Sequence, residues 1–125
     1  MSVIVTDQGF QPETHNGDWF DLAPDVDIAA VETQIDGVTA IRVSFPAFSD
    51  GRGFTLAARL RRAGFTGRLR AAGHVIADQY AMARRAGFDE VEIDEDLAER
   101  QPEAQWLSRA AWQANDYRAR LRRTA

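Results

Sequence analysis

The pentapeptide Arg61-Arg62-Ala63-Gly64-Phe65 recurs, residue for residue, as Arg84-Arg85-Ala86-Gly87-Phe88, and this repeat constrains the fold more than any other feature of the chain. Each copy has the composition of a helix end. Arginines fill the last turn, where the helix dipole favours positive charge, and the glycine that follows is free to take the left-handed C′ position. With Gly64 at C′, Phe65 is C″ and Leu60 is C3, the pair that touches in a Schellman cap; in the second copy Phe88 meets Met82 or Ala83. Each phenylalanine therefore closes a helix and opens a strand.

Upstream of these ends, Leu56, Leu60 and Ala63 share one helical face, which predicts a helix over about 54–63, and Ile76, Tyr80 and Ala83 predict another over about 75–86. Strands are expected at about 38–45, 68–71 and 90–93, where β-branched and apolar residues collect. Strands alternating with helices imply parallel pairing through right-handed crossovers. The fold class expected is α/β: a small β-α-β-α-β parallel sheet of partial-barrel or open-sheet type over 24–94, in a single domain covering 1–125. Before it, Pro24-Asp25 starts a helix over about 26–35 with Val26 or Ile28, Val31 and Ile35 facing the sheet, stopped by Gly37. In residues 1–22, Val3-Ile4-Val5 and Trp19-Phe20 flank Asn16-Gly17, a strong hairpin signal, and predict a hairpin or edge ribbon. Pro102 opens a long C-terminal helix over about 102–123, with Trp106, Ala110, Ala114, Tyr117 and Leu121 along one face. Trp112 lies off that stripe, either as a contact for another chain or packed under the hairpin.

Residue types narrow the chemistry. There is no cysteine, and all 15 basic residues are arginine. Thiolate nucleophiles, redox disulfides and cysteine-held iron–sulfur clusters drop out, as do Schiff-base and P-loop lysines. The two histidines, His15 and His74, are far apart, so the short-spaced pairs of zinc enzymes are absent and no metal site is expected. Arginine binds and orients anions but does not act as a base near neutral pH. A net charge of −4 argues against nucleic acid as the main partner. No apolar run spans a membrane and the first residues do not read as a secretory signal, so a cytoplasmic location is expected.

In parallel α/β sheets, ligands bind outside the carboxyl ends of the strands. The first loop there holds Ser49, Asp50, Gly51, Arg52, Gly53 and Thr55; the second holds Arg70, Gly73 and His74; the third holds Asp94 and Glu95. Gly51 and Gly53 would let backbone amides approach an oxyanion or phosphate, the next helix offers its positive end, and Arg52 adds a fork of donors. The same Asp-Gly-Arg-Gly run also makes an ordinary tight turn. Thr55 reads as the helix N-cap, and Asp50 either caps the helix or pairs with Arg52 or Arg70. His74 has the side chain suited to acid or base work, and equally to a cap or surface position.

The runs Phe45-Pro46-Ala47-Phe48-Ser49-Asp50-Gly51-Arg52-Gly53-Phe54-Thr55, Gly64-Phe65-Thr66-Gly67, Leu69-Arg70-Ala71, Gly73, Asp78-Gln79 and Arg85-Ala86-Gly87-Phe88-Asp89 closely resemble a bacterial family called domain of unknown function 934. Members of that family are commonly encoded beside assimilatory sulfite or nitrite reductase and are labelled oxidoreductases involved in sulfite reduction. The resemblance carries Asp50, Gly51, Arg52, Gly53, Arg70, Gly73, Asp78 and Gln79 over as family-matching positions, while His74 stands where many relatives have an acidic residue. It implies an accessory protein of sulfite reduction that binds a small oxyanion at the Asp50–Thr55 loop or docks on the reductase. The alternatives are a small flavin-dependent oxidoreductase, although no cofactor motif is evident, and a structural or assembly module. An exposed sheet edge or Trp112 makes a homodimer the expected oligomer.

Overall fold

The computed structural model describes residues 2–113. The chain opens with a hairpin, β1 (Ser2–Thr6) and β2 (Gly9–Gln11), then reaches β3 (Phe20–Leu22) and α1 (Ile28–Glu32). The repeated core follows as β4 (Ala40–Phe45), α2 (Arg52–Arg62), β5 (Arg68–Gly73), a 3₁₀ turn at Ala77–Gln79, α3 (Tyr80–Ala86) and β6 (Glu90–Asp94). Two short helices, α4 (Glu95–Arg100) and α5 (Glu103–Leu107), close the described part.

All six strands join one sheet in the order β2-β1-β6-β5-β4-β3. The fold is α/β, and its sheet is mixed. Strands β3 to β6 are parallel neighbours in sequence order, whereas β1 runs antiparallel to β6 and β2 antiparallel to β1. Successive right-handed crossovers between neighbouring parallel strands place every connecting helix on the same face. Ile41, Val43, Phe45, Leu69, Ala71, Val91 and Ile93 line that face and form one cluster with Leu56, Leu60, Tyr80, Ala83 and Leu97 from the helices. Alternation puts Arg42, Ser44, Arg68, Arg70, Glu90 and Glu92 on the other face.

The repeat behaves as its composition predicts. Gly64 and Gly87 take φ of 104° and 120°, and in each copy the two cross-bonds of a Schellman cap form: Phe65 N–H to Leu60 O at 3.1 Å with Gly64 N–H to Arg61 O at 3.1 Å, and Phe88 N–H to Ala83 O at 3.0 Å with Gly87 N–H to Arg84 O at 3.1 Å. Ala83 is thus the partner of Phe88, and Met82 points outward with 54% of its surface exposed. The first arginine of each copy bends back to the phenylalanine carbonyl, Arg61 Nη1 to Phe65 O at 3.1 Å and Arg84 Nη1 to Phe88 O at 2.6 Å. Arg61 also donates to the Gly87 carbonyl at 2.9 Å, so one helix end is tied to the next.

The amino-terminal expectation is corrected. The hairpin turns at Asp7-Gln8, ahead of Gly9 with φ 103°, and Asn16-Gly17 does not join paired strands. Its flanks reach opposite edges of the sheet, because β2 and β3 are the outermost strands. Five inter-strand steps of about 4.8 Å put those edges about 24 Å apart, and the chain from Gln11 to Phe20 spans at most about 30 Å when extended. Residues 12–19 are therefore a nearly stretched strap across the sheet. Trp112 packs under the hairpin: its Nε1 donates to Asp7 Oδ2 at 3.3 Å, and Asp7 also accepts from Tyr80 Oη at 2.5 Å and from Arg84 at 3.2 Å. Burial opposes ionisation of Asp7, but these donors outweigh it and hold its carboxyl below the ordinary range. Burial, with the Asp7 carboxylate beside it, pushes the Tyr80 hydroxyl well above its ordinary value.

Two helices are shorter than their apolar patterns suggest. Asp27 caps α1 by accepting from Ala29 N–H, so the helix begins after Val26 and ends at Glu32. The long C-terminal helix is not present in the described residues: α5 ends at Leu107 and turns follow to Gln113. Ala114, Tyr117 and Leu121 of its expected stripe lie outside them. Among the described residues, no helix is long and apolar enough to cross a membrane.

Candidate functional site

The structure separates the predicted site residues into three places. Asp50, Gly51, Gly73 and His74 lie at the carboxyl rim of the parallel strands, Arg52 and Thr55 face a cleft between α1 and α2, and Arg70 lies on the sheet face opposite the connecting helices.

At the rim, Phe45 at the end of β4 organises the loops. Gly53 is buried in the first turn of α2, where a Cβ atom would collide with the Phe45 ring. It serves helix-to-strand contact rather than access of a backbone amide to a ligand. Gly73, at φ 115°, has no room for a Cβ either, since the Phe45 carbonyl oxygen lies 2.7 Å from that position. His74 N–H donates to the same carbonyl at 2.9 Å and its Nδ1 is 3.3 Å away, while the ring meets Phe48 edge-on at 5.4 Å. Gln79 Nε2 donates to Phe48 O at 2.7 Å, tying the second loop to the first. Asp78 instead faces outward and pairs with Arg109 at 2.5 Å. A cavity of about 190 Å³ opens here, lined by Phe48, Gly73, His74, Glu92, Asp94 and Arg100 among others. Asp94 spends one oxygen capping α4, accepting from Leu97 N–H at 2.8 Å.

The loop itself is self-satisfied. Asp50 accepts from Arg52 N–H at 3.1 Å, from its Nε at 2.9 Å and from its Nη2 at 2.7 Å. This ring of bonds holds the Asp50 carboxyl below its ordinary range and the Arg52 guanidinium above its own. Of the sequence alternatives for Asp50, pairing with Arg52 is the one adopted. Helix α2 begins at Arg52 with Gly51 as N-cap, so Thr55 is not the cap. Thr55 instead lines a cleft of about 240 Å³ with Pro24, Val26, Ile28, Arg52, Leu56 and Arg59. Arg59 was not singled out by sequence reasoning; its spacing from Arg52 and Thr55, i+7 and i+4 on one helix, is the signal that finds it. Among the described residues the Arg59 side chain makes no hydrogen bond or ion pair.

Arg70 is not in a loop. It sits mid-strand in β5 and is 0% exposed. Its Nε donates to Glu90 at 2.6 Å and its Nη1 to Glu92 at 2.7 Å, and Glu13 from the strap takes both Nη1 and Nη2. Arg68 pairs with Glu90 at 2.6 Å, and Arg42 pairs with Asp21 at 2.6 Å and Glu92 at 3.3 Å. The Trp19 ring covers the group, with the guanidinium carbons of Arg70, Arg42 and Arg68 at 4.3, 5.4 and 5.8 Å from its centroid. The Arg70 guanidinium holds the Glu13 carboxyl down to a pKa of about 2. Burial works against the charge on Arg70, but the surrounding carboxylates outweigh it and raise its pKa. Strict alternation of charged with apolar residues in Arg68-Leu69-Arg70-Ala71 and Glu90-Val91-Glu92-Ile93 is the sequence signal for this face. Among the described residues, no three His, Asp or Glu side chains converge as metal ligands do.

The family described as bacterial protein of unknown function (DUF934) matches the chain over residues 20–123. No curated protein and no solved structure matches it significantly. The chain belongs to the DUF934 family.

Proposed function

We propose that the chain is an accessory protein of assimilatory sulfite reduction that holds a small oxyanion in the cleft between α1 and α2. One observation carries this reading: Arg59, whose guanidinium has no partner among the described residues, lines one cleft together with Thr55 and Arg52. Two guanidiniums and a hydroxyl on one helix face form a donor set for an oxyanion, and Asp50 leaves Arg52 Nη1 available to it. The carboxylate of Asp50 also keeps Arg52 in place, which limits the entropy lost on binding. The sulfite context comes from the resemblance to a family whose members neighbour sulfite and nitrite reductases.

Calorimetric titration of sulfite, sulfate and phosphate into wild type, Arg59→Ala and Thr55→Ala tests the reading. Loss of one charge-assisted bond corresponds to about 1.5–3 kcal/mol, or roughly 10- to 100-fold in Kd. Equal affinity in all three proteins, or no binding in any, contradicts it.

The exposure of Phe48 favours a second reading, docking on the reductase. The ring is 42% exposed at the rim, yet its backbone and face are held by Gln79 and His74. A rigid exposed aromatic is the kind of group that anchors protein contacts. Phe48→Ala should then weaken co-purification with the reductase without changing oxyanion affinity.

A further inference from the structure

We infer that the sheet face opposite the connecting helices holds a second anion site, at the Nη1–Nη2 edge of Arg70, and that Glu13 occupies it as an internal stand-in for a small carboxylate-type ligand. Parallel sheets are ordinarily covered by helices on both faces and their strands are apolar throughout. Here Arg70, Glu90 and Glu92 take central positions that apolar residues would fill. A buried ion-pair network of this kind does not by itself add stability over apolar packing.

The geometry distinguishes Glu13 from the other carboxylates. Glu90 and Glu92 belong to β6, and their side chains are 6% and 18% exposed. Glu13 comes from the irregular strap and is 42% exposed, so its side chain can rotate into solvent without breaking a strand. The strand-borne charges already balance, with Arg42, Arg68 and Arg70 against Asp21, Glu90 and Glu92. Glu13 is thus not needed for neutrality, and exchanging it for another anion leaves the net charge unchanged.

What Glu13 contributes is a planar pair of oxygens on a planar pair of donors, the arrangement that suits a carboxylate. Trp19 lies against the guanidinium, its ring centroid 4.3 Å from the guanidinium carbon, and Nη2 is shared between Glu13 and Glu90. Arg70 Nη1 touches Glu13 and Glu92 together, and Glu92 also lines the rim cavity, which supplies an approach from the carboxyl ends of the strands. This site is separate from the α1–α2 cleft and stands or falls independently of it.

Acetate and sulfate, titrated at constant ionic strength and followed by heat and tryptophan fluorescence, test the inference in wild type and Glu13→Ala. Removing the stand-in should tighten acetate binding at least about tenfold, equivalent to about 1.4 kcal/mol, with a fluorescence change that disappears in Glu13→Ala/Trp19→Phe while the heat remains. Acetate binding more tightly than sulfate assigns the site to carboxylates; the reverse order overturns that class. Glu13→Gln keeps the side-chain shape and an oxygen on Arg70, so it reports even where the alanine variant fails to fold, and it too should bind acetate more tightly than wild type. Folded Glu13→Gln with wild-type affinity overturns the inference.

Discussion

The two faces of the sheet are held by different forces. On the helix side, Ile41, Val43, Leu69, Val91 and Ile93 are at most 1% exposed and pack on α2 and α3, an arrangement that is non-directional and tolerant of conservative exchange. On the strap side, four carboxylates and three guanidiniums meet at set distances under one tryptophan, so orientation decides everything. The strap-side face is built from groups that are costly to bury, which is where binding chemistry is to be sought.

The sharpest way to break this comparison is to injure each face in turn and measure stability by denaturant unfolding. Phe88→Ala should cost about 3–5 kcal/mol through the cavity it leaves, with no dependence on salt. Arg70→Met should cost a similar 3–5 kcal/mol by a different route, taking from Glu90 and Glu92 the partner they share and leaving them to Arg68 and Arg42, and a second change, Glu90→Met, should recover part of the loss. Additive costs for Arg70→Met and Glu90→Met would mean that the two side chains are not coupled and that the faces do not differ in kind.

Glycines sharpen the helix side. Gly53→Ala pushes a methyl into the Phe45 ring and should cost about 1–3 kcal/mol. Gly51, at φ −84° with nothing within 4 Å of its Cβ position, should accept alanine with little change or a gain of about 0.4–1 kcal/mol. Equal effects at both would show that the loop, not the contact with β4, sets the need for glycine.

Much of the helix side was legible in the chain, and little of the strap side was. The repeat located both Schellman caps because a cap is local: every participant, from Leu60 to Phe65, lies within six consecutive residues. Asn16-Gly17 misled because a hairpin signal is local while strand pairing is not; Val3-Ile4-Val5 found β6 as well as β2, and Phe20 found β4. The rim loop was read correctly as a strand-to-helix turn, but which donors stay available depended on Asp50 turning back on Arg52. Arg70 was recognised as a polar position of interest, yet its partners come from Glu13, Glu90 and Glu92, and only the sheet order brings those together.

The smallest expected effect is on the acid side of the pH profile. Glu13 has a folded pKa of about 2, below its ordinary value of 4.5, so the stability it contributes is complete above about pH 4.5 and fades as pH falls toward 2. Its partial exposure limits the contribution to about 1 kcal/mol or less. Wild type should therefore lose slightly more stability than Glu13→Gln between pH 5 and pH 2.5, and parallel profiles would remove Glu13 from the network.

The division of labour among the arginines is tested most directly by the Nε–H resonances of the side chains in a nitrogen-15 spectrum recorded during a sulfite titration. Arg70 Nε–H, buried against Glu90, should exchange slowly with solvent and stay in place, while Arg59 and Arg52 exchange fast and shift with added sulfite. An Arg70 signal that exchanges as fast as that of Arg59, or a titration that moves neither Arg52 nor Arg59, would contradict the account.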